Sequence, residues 1–322
     1  MTNLFSLVQE EMAAVEQELL EMVTVPEALL SKIGGHLLHA GGKRLRPALF
    51  LLCAKRDKEQ SNEAHYLATA IELIHMATLV HDDVIDVAAT RRGRPTANVI
   101  FGNHASVLAG DYLFARAFSL IAEHSRSESM KLLTDAICVI CEGEIFQERD
   151  LFDLNQTMEG YFTNINRKTA DFIATSCKLG GIAAGYDTQS VTALHRYGYC
   201  IGIAFQITDD LPDVTATEQE VGKPTGNDLK QGILTMPTLY ALNHSHNKDK
   251  LYQLIASRAV ANDATKLTKA LGYIRNSGAV EYSFQQAQHY LEEARQVLPE
   301  CIPLSVKKVL FDITEFIGKR HF

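Results

Sequence analysis

Residues 71–96 read IELIHMATLVHDDVIDVAATRRGRPT, an apolar run of helical period that ends in three carboxylates and is followed at once by two arginines. At about 100° per residue, Asp82 and Asp86 fall one turn apart on one face, and Asp83 points about 100° away. His75 shares the face of Asp82. Like charges one turn apart oppose a helix by about 0.2–0.5 kcal/mol in water, and by more when partly buried, so the pattern asks for a counter-ion. Hard carboxylate oxygens with no cysteine among them favour Mg²⁺, which keeps part of its water and is completed by phosphate oxygens. Arg91 and Arg92 then offer permanently charged forks suited to phosphate.

The same period extends outward from this stretch. Leu4, Val8, Met12, Val15, Leu19 and Met22 follow steps of four and three, an amphipathic helix that Pro26 ends. Further helical periods cover roughly 27–40, 45–54, 62–88, 97–122, 128–150, 157–184, 188–214, 233–243, 249–257, 263–276, 279–297 and 303–319, and no segment alternates as a strand. The polar stretches at 55–63, 123–129, 215–228 and 243–249 are too short for interdomain linkers. The sequence therefore predicts an all-α fold with a single domain over 1–322.

Composition narrows the classes. With 322 residues, 46% hydrophobic and 22% charged, the chain can bury a large core. A formal net charge of -8 supplies no basic field for nucleic acid, so an anionic ligand needs locally placed cations or metal. The six cysteines, Cys53, Cys138, Cys141, Cys177, Cys200 and Cys301, lie in apolar helical patterns and are expected as reduced, buried thiols. Cys138 and Cys141 form a C-x-x-C with no second pair at zinc spacing. No uninterrupted apolar run reaches bilayer length and the N-terminus lacks a signal-peptide pattern, so a soluble, cytoplasmic protein without a membrane segment is expected.

A second acidic string, FQITDDLPD at 205–213, repeats the D-D-x-x-D spacing, with Gln206, Asp209 and Asp213 on one helix face and Asp210 to the side. Pro212 removes a backbone donor and releases the Thr208 carbonyl, which makes Asp213 the weakest member. Two such helices facing each other would surround one cavity with carboxylates. GGKRLRP at 41–47 adds a basic turn in which Gly41 and Gly42 permit tight backbone geometry and Lys43, Arg44 and Arg46 cluster before Pro47. Lys223 and Lys230 flank a glycine-rich loop, GKPTGNDLKQG, that suits a lid over phosphates and equally a solvated loop. Such a site has an acidic pole for metal and a basic pole for phosphate.

Taken together, GGKRLRP, LVHDDVID followed by RRGRPT, GDYLFARAF at 110–118, INRKTA at 165–170, FQITDD and GKPTGNDLKQGILTMPTLYAL resemble the trans-isoprenyl diphosphate synthases over nearly the whole chain and in order. Within that family the likeness is greatest to the catalytic large subunits of bacterial two-component heptaprenyl or hexaprenyl diphosphate synthases, whose ending the C-terminal IGKRHF also resembles. The resemblance implies the isoprenoid synthase fold, an orthogonal bundle of roughly 10–13 helices around a central cavity. It implies a Mg²⁺-dependent trans 1′-4 condensation of isopentenyl diphosphate onto an allylic diphosphate such as farnesyl, giving an all-trans polyprenyl diphosphate for quinone side chains such as menaquinone. Heptaprenyl is the product it favours.

Carried onto this chain, the resemblance assigns Asp82, Asp86 and Asp209 to a cluster of up to three Mg²⁺, with Asp83, Asp210 and Asp213 in support. It places Arg91, Lys168, Thr169 and Gln206 around the allylic diphosphate and the cation it leaves, the last three as catalytic residues, and Lys223 on the allylic phosphate from the lid. Gly42, Lys43, Arg46, His75 and Arg92 would bind isopentenyl diphosphate. His81, His104, Glu144 and Gln147 are read as structural. For chain length the family pattern picks Ala77, five residues before the first Asp, whereas the helical wheel picks Thr78. The implied partner is a small regulatory subunit in a heterodimer, or a second copy. A terpene cyclase would share the acidic helix but not need Lys43, Arg46 and His75; a His-Asp phosphohydrolase would need further histidines at ligand spacing; and a regulatory subunit that keeps only the fold would have lost carboxylates present here.

Overall fold

The computed structural model describes residues 4–56, 64–215 and 225–319. Among them are seventeen α-helices and one two-stranded hairpin, so the all-α reading holds. The chain divides into two compact units, one of Met1–Ile137, Thr175–Leu194 and Pro299–Leu310, the other of Cys138–Ala174, His195–Leu298 and Phe311–Phe322.

The first unit is built on α4 (Ala64–Ile85), which carries the quoted stretch. Leu67, Ala70, Ile71, Leu73, Ile74, Met76, Ala77 and Val80 are all buried, more than one stripe of a helix, so α4 is enclosed rather than half-exposed. α1 (Gln9–Val23), α3 (Leu45–Ala54) and α6 (Asn103–His124) pack along it. α3 is buried from Pro47 to Ala54, and Pro47 costs little because the first-turn amides have no intrahelical acceptor. α6 is long and apolar enough to cross a membrane by length and composition alone, but Ala109, Leu113, Ala117, Leu120 and Ile121 are buried and its packing partner is α4. Gly110, in the GDYLFARAF string, lets α6 approach α4, since a Cβ there would run into the His81 ring. That contact, with His81 Nε2 3.1 Å from the Val107 carbonyl, seats the His81 ring against α6. A smaller cluster of Ile33, Val80, Ala97 and Ala109 ties α2 (Ala28–His39) and α5 (Ala97–Phe101) to the same pair.

The expected helix at 97–122 breaks at Gly102, whose φ of 83° separates α5 from α6. In the second unit, the expected helix at 157–184 is interrupted by a π-helical turn, Asn166–Ala170, between α8 (Met158–Ile165) and α9 (Asp171–Ala183). α9 follows α7 (Ser127–Arg149) in the chain and precedes α10 (Thr188–Thr215), which continues through Pro212 for 28 residues. After α11 (Asn227–Gln231), the helices α12 (Met236–His244), α13 (Lys248–Ala256), α14 (Ala259–Asn262), α15 (Ala264–Arg275) and α16 (Ala279–Gln296) pack as a local bundle, and α17 (Leu304–Gly318) ends the described chain.

Two expectations are corrected. Thr90–Arg91 and Arg94–Pro95 form a short antiparallel hairpin where no strand was read, because Arg92 (φ 52°) and Gly93 (φ 74°) make the doubly left-handed turn that closes two-residue hairpins. The cysteines are not all buried: Cys53, Cys177 and Cys200 are, but Cys138, Cys141 and Cys301 are exposed, since the solvent side of a helix depends on what packs against it.

Candidate active site

In the first unit, α4 ends in a Schellman closure directly after the acidic motif. Val87 N–H donates to the Val84 carbonyl and Ala88 N–H to the Asp83 carbonyl, with Val87 left-handed at φ 51°. A β-branched residue there costs about 1–2 kcal/mol, strain of the kind that collects where a chain is held for function. The closure leaves Asp86 exposed and Asp82 half-buried at the helix end. Asp83 turns inward instead: it is 2% exposed and accepts from Arg91 Nε at 2.8 Å. Burial raises its pKa and the Arg91 charge opposes that shift. The hairpin thus fastens Arg91 to the helix and presents Arg92 at its turn.

The basic turn is sorted by its backbone. Arg44, left-handed at φ 46°, buries its guanidinium between Glu16 Oε1 and Glu72 Oε1, each at 2.7 Å. That buried pair fastens the turn to α1 and α4; removing one partner of such a pair costs about 3–5 kcal/mol. Lys43 and Gly42 remain exposed, and a Cβ on Gly42 would come 2.8 Å from Arg92 Nη1, so the turn and the hairpin meet there. Arg46 Nη1 donates to His75 Nε2 at 3.1 Å. Since arginine only donates, Nε2 must carry the lone pair. Burial, with Arg46, Arg92, Arg91 and Arg44 around it, holds the His75 pKa well below its ordinary value and keeps the ring neutral. Burial lowers Arg46 itself only to about 10, opposed by Glu72 and Asp82, so it stays charged at neutral pH. The structure therefore brings Gly42, Arg92, Arg46 and His75 into one cationic cluster near Asp82.

The second unit holds the other acidic string near the end of α10. Asp209 is exposed, while Asp210 is 6% exposed and accepts from Tyr161 Oη and Gln206 Nε2, each at 2.8 Å. Gln206 Oε1 accepts from Thr169 Oγ1 at 3.0 Å, so Thr169, Gln206, Asp210 and Tyr161 form one chain. Burial pushes Asp210 up to about 7, against the pull of those two hydrogen bonds. The wheel groups Gln206 with Asp209 and Asp213; its bonded partner is Asp210, four residues on and only about 40° round the helix, nearer than Asp209 at about 60°. Asp213 accepts from the Asn227 and Asp228 amides at 2.8 and 3.0 Å and so starts α11. Lys168 Nζ lies 3.1 Å from Glu144 Oε1. Lys223 lies outside the described residues.

The two acidic strings share a division of labour: the first Asp faces outward and the second is buried on a fixed partner. Sequence reasoning missed Glu72 and Tyr161, and it read Glu144 as structural. Glu72 had a signal, an acid inside the run AIELIHM, because a charge among apolar residues implies a buried partner. Ala77 has no accessible surface, whereas Thr78 is half-buried with Oγ1 bonded to the His75 carbonyl at 2.9 Å.

An all-helical chain with two such acidic strings and cations held beside them fits the isoprenoid synthase fold that the resemblance implies. This agrees with the solved heptaprenyl diphosphate synthase of Staphylococcus aureus, which is 33% identical with a TM-score of 0.90, covering 98% of this chain and 99% of that one. A Caulobacter crescentus polyprenyl synthase, complexed with calcium and isoprenyl diphosphate, is likewise similar, at 33% identity and a TM-score of 0.91, covering 99% of this chain and 97% of that one. The Geobacillus stearothermophilus heptaprenyl diphosphate synthase component 2 is 39% identical over 319 residues, 99% of this chain and 98% of the relative. The family model described as Polyprenyl synthetase matches residues 27–274, and the chain belongs to that family. It is a transferase, a trans-prenyltransferase that elongates prenyl chains.

Proposed function

We propose that the enzyme adds isopentenyl diphosphate to farnesyl diphosphate in a Mg²⁺-dependent reaction and releases heptaprenyl diphosphate for a quinone side chain. The observation that carries the reading is the pair of acidic strings in which Asp82, Asp86 and Asp209 face outward while Asp83 and Asp210 are held by neighbours. The donors fit Mg²⁺: they are hard carboxylate oxygens, and Mg²⁺ is commonly bound by one or two carboxylates and completed by substrate phosphates. Bound Mg²⁺ would supply Lewis-acid stabilisation of the diphosphate leaving group. Asp82, Asp86 and Asp209 would hold it, and Asp83, Asp210 and Asp213 would fix the helix ends around them.

The chain's own groups do the rest. Lys168, Thr169, Gln206, Arg91 and Lys223 bind the allylic diphosphate, and the Lys168 charge stabilises it as it departs. Lys43, Arg46 and Arg92 bind isopentenyl diphosphate, with Gly42 admitting the Arg92 fork and neutral His75 fixing the Arg46 guanidinium. The isopentenyl double bond attacks the allylic carbon, the C–O bond to diphosphate breaks, and a proton from the isopentenyl unit passes to the released diphosphate. No side-chain base is required. The Arg46, His75 and Arg92 cluster favours a two-diphosphate reaction over a cyclase, which handles one.

Four of the unit boundaries lie inside α7, α9, α10 and α17, which supports one folding domain over 1–322. The 39% identity to component 2 of a heptaprenyl diphosphate synthase supports both the heptaprenyl product and a second, small subunit. Labelled isopentenyl diphosphate with farnesyl diphosphate and Mg²⁺, with and without the small subunit, followed by product chromatography, tests the reading. Asp82→Ala and Asp209→Ala should each lower turnover about a hundredfold or more, with helical content unchanged. Near-normal rates in either variant, or full activity in excess chelator, overturn it.

A further inference from the structure

Lys168 stands in the π-helical turn Asn166–Ala170, a rare form that is frequent at functional sites. The turn rests on α7 at Gly143, where a Cβ would come 2.9 Å from Arg167 Cβ and 3.2 Å from Lys168 N. With no side chain at 143, the residues one position and one turn on reach the turn's cations. Lys168 Nζ donates to Glu144 Oε2 at 3.2 Å, lies 3.1 Å from Oε1, and donates to Gln147 Oε1 at 3.3 Å. Arg167, the preceding residue, is drawn elsewhere, its guanidinium 4.2 Å from the Phe146 ring centroid. Residues 143–147 of α7 thus sort two adjacent cations onto different partners.

We propose that Glu144 is a positioning residue for Lys168, holding the ammonium ready for the allylic diphosphate; this rests on the reading of Lys168 as an allylic-diphosphate ligand. A free lysine side chain carries about 2 kcal/mol of rotamer entropy, and a carboxylate that has already aimed it removes much of that cost before substrate arrives. The pair is partly open to solvent, with side-chain exposures of 30% and 16%, so a diphosphate can still draw the ammonium forward. Lys168 lies within electrostatic reach of Asp228, which also feels Asp213, Asp210 and Asp209, so Glu144 competes with other carboxylates for the ammonium.

The test is a double-mutant cycle in the full-length enzyme with Mg²⁺, farnesyl diphosphate and isopentenyl diphosphate. Glu144→Gln keeps the size and loses the charge; it should lower kcat/KM for the allylic substrate about tenfold while leaving the KM of isopentenyl diphosphate unchanged. In a Lys168→Ala background the same substitution should change allylic kcat/KM by less than about twofold, because there is no ammonium left to aim. Gln147→Ala should give a smaller loss of the same kind, with folding of all variants followed by circular dichroism. An equal loss in both backgrounds, or a loss confined to isopentenyl diphosphate, overturns the proposal. Wild-type allylic kinetics in Lys168→Ala alone would instead remove the reading of Lys168 on which it rests.

Discussion

His75 shows how single residues are tuned by what surrounds them. Its ring is neutral because burial comes first and four arginines, Arg46, Arg92, Arg91 and Arg44, add to it. In the unfolded chain the same imidazole titrates near its ordinary value of about 6.5. A base whose folded pKa is depressed leaves the unfolded state binding more protons below that value, so its contribution to stability is present above about pH 6.5 and is lost as pH falls toward the folded pKa. The metal-free enzyme should therefore lose stability as pH drops below about 6.5, and His75→Gln should flatten that slope by up to about 1.4 kcal/mol per pH unit. Thermal unfolding across that range measures it. Parallel pH profiles for the two proteins would show that His75 takes up a proton in the folded state.

At the scale of elements, close approaches set where functional turns lie. Gly202 of α10 faces the π-helical turn: a Cβ there would come 2.6 Å from Ala170 Cα and 2.8 Å from its Cβ. Ala170 is buried and follows Thr169, whose hydroxyl bonds Gln206 one turn along α10 from Gly202. Because backbone cannot yield as a flexible side chain can, Gly202→Ala should destabilise the protein by about 1–3 kcal/mol and disturb Thr169 at the same time. Urea unfolding with allylic-substrate kinetics gives both quantities, and an unchanged midpoint would mean the turn shifts at no cost.

At the scale of the whole molecule the open question is product length. A growing prenyl chain is apolar, and burial favours it by about 0.8 kcal/mol per methylene-sized group, so length is set where the wall closes. The family pattern points to Ala77 and the wheel to Thr78; of the two, only Thr78 keeps accessible surface. Thr78→Phe should shorten the products at unchanged thermal stability, whereas Ala77→Phe must displace packed neighbours and should lower stability by about 1–3 kcal/mol. Product chromatography beside thermal unfolding separates the two. Shortening by Ala77→Phe alone would return the role to Ala77.

The all-α class, the helix ends at both acidic strings and the basic turn were legible in the sequence because each rests on short-range physics: a 3.6-residue period, carboxylates a turn apart, glycine and proline at turns. Even the hairpin had a local sign in Arg92-Gly93, although arginine is an unusual first residue for that turn. Tertiary structure alone decided which carboxylates turn inward. The wheel sets Asp83 and Asp210 on other faces than Asp82 and Asp209, but that those faces turn inward follows only from Arg91 of the hairpin and Tyr161 of α8. The Glu144 contact to Lys168, the neutrality of His75 and the exposure of Cys138 and Cys141 likewise depend on which helix lies alongside, and a single chain's periodicity carries no record of its neighbours.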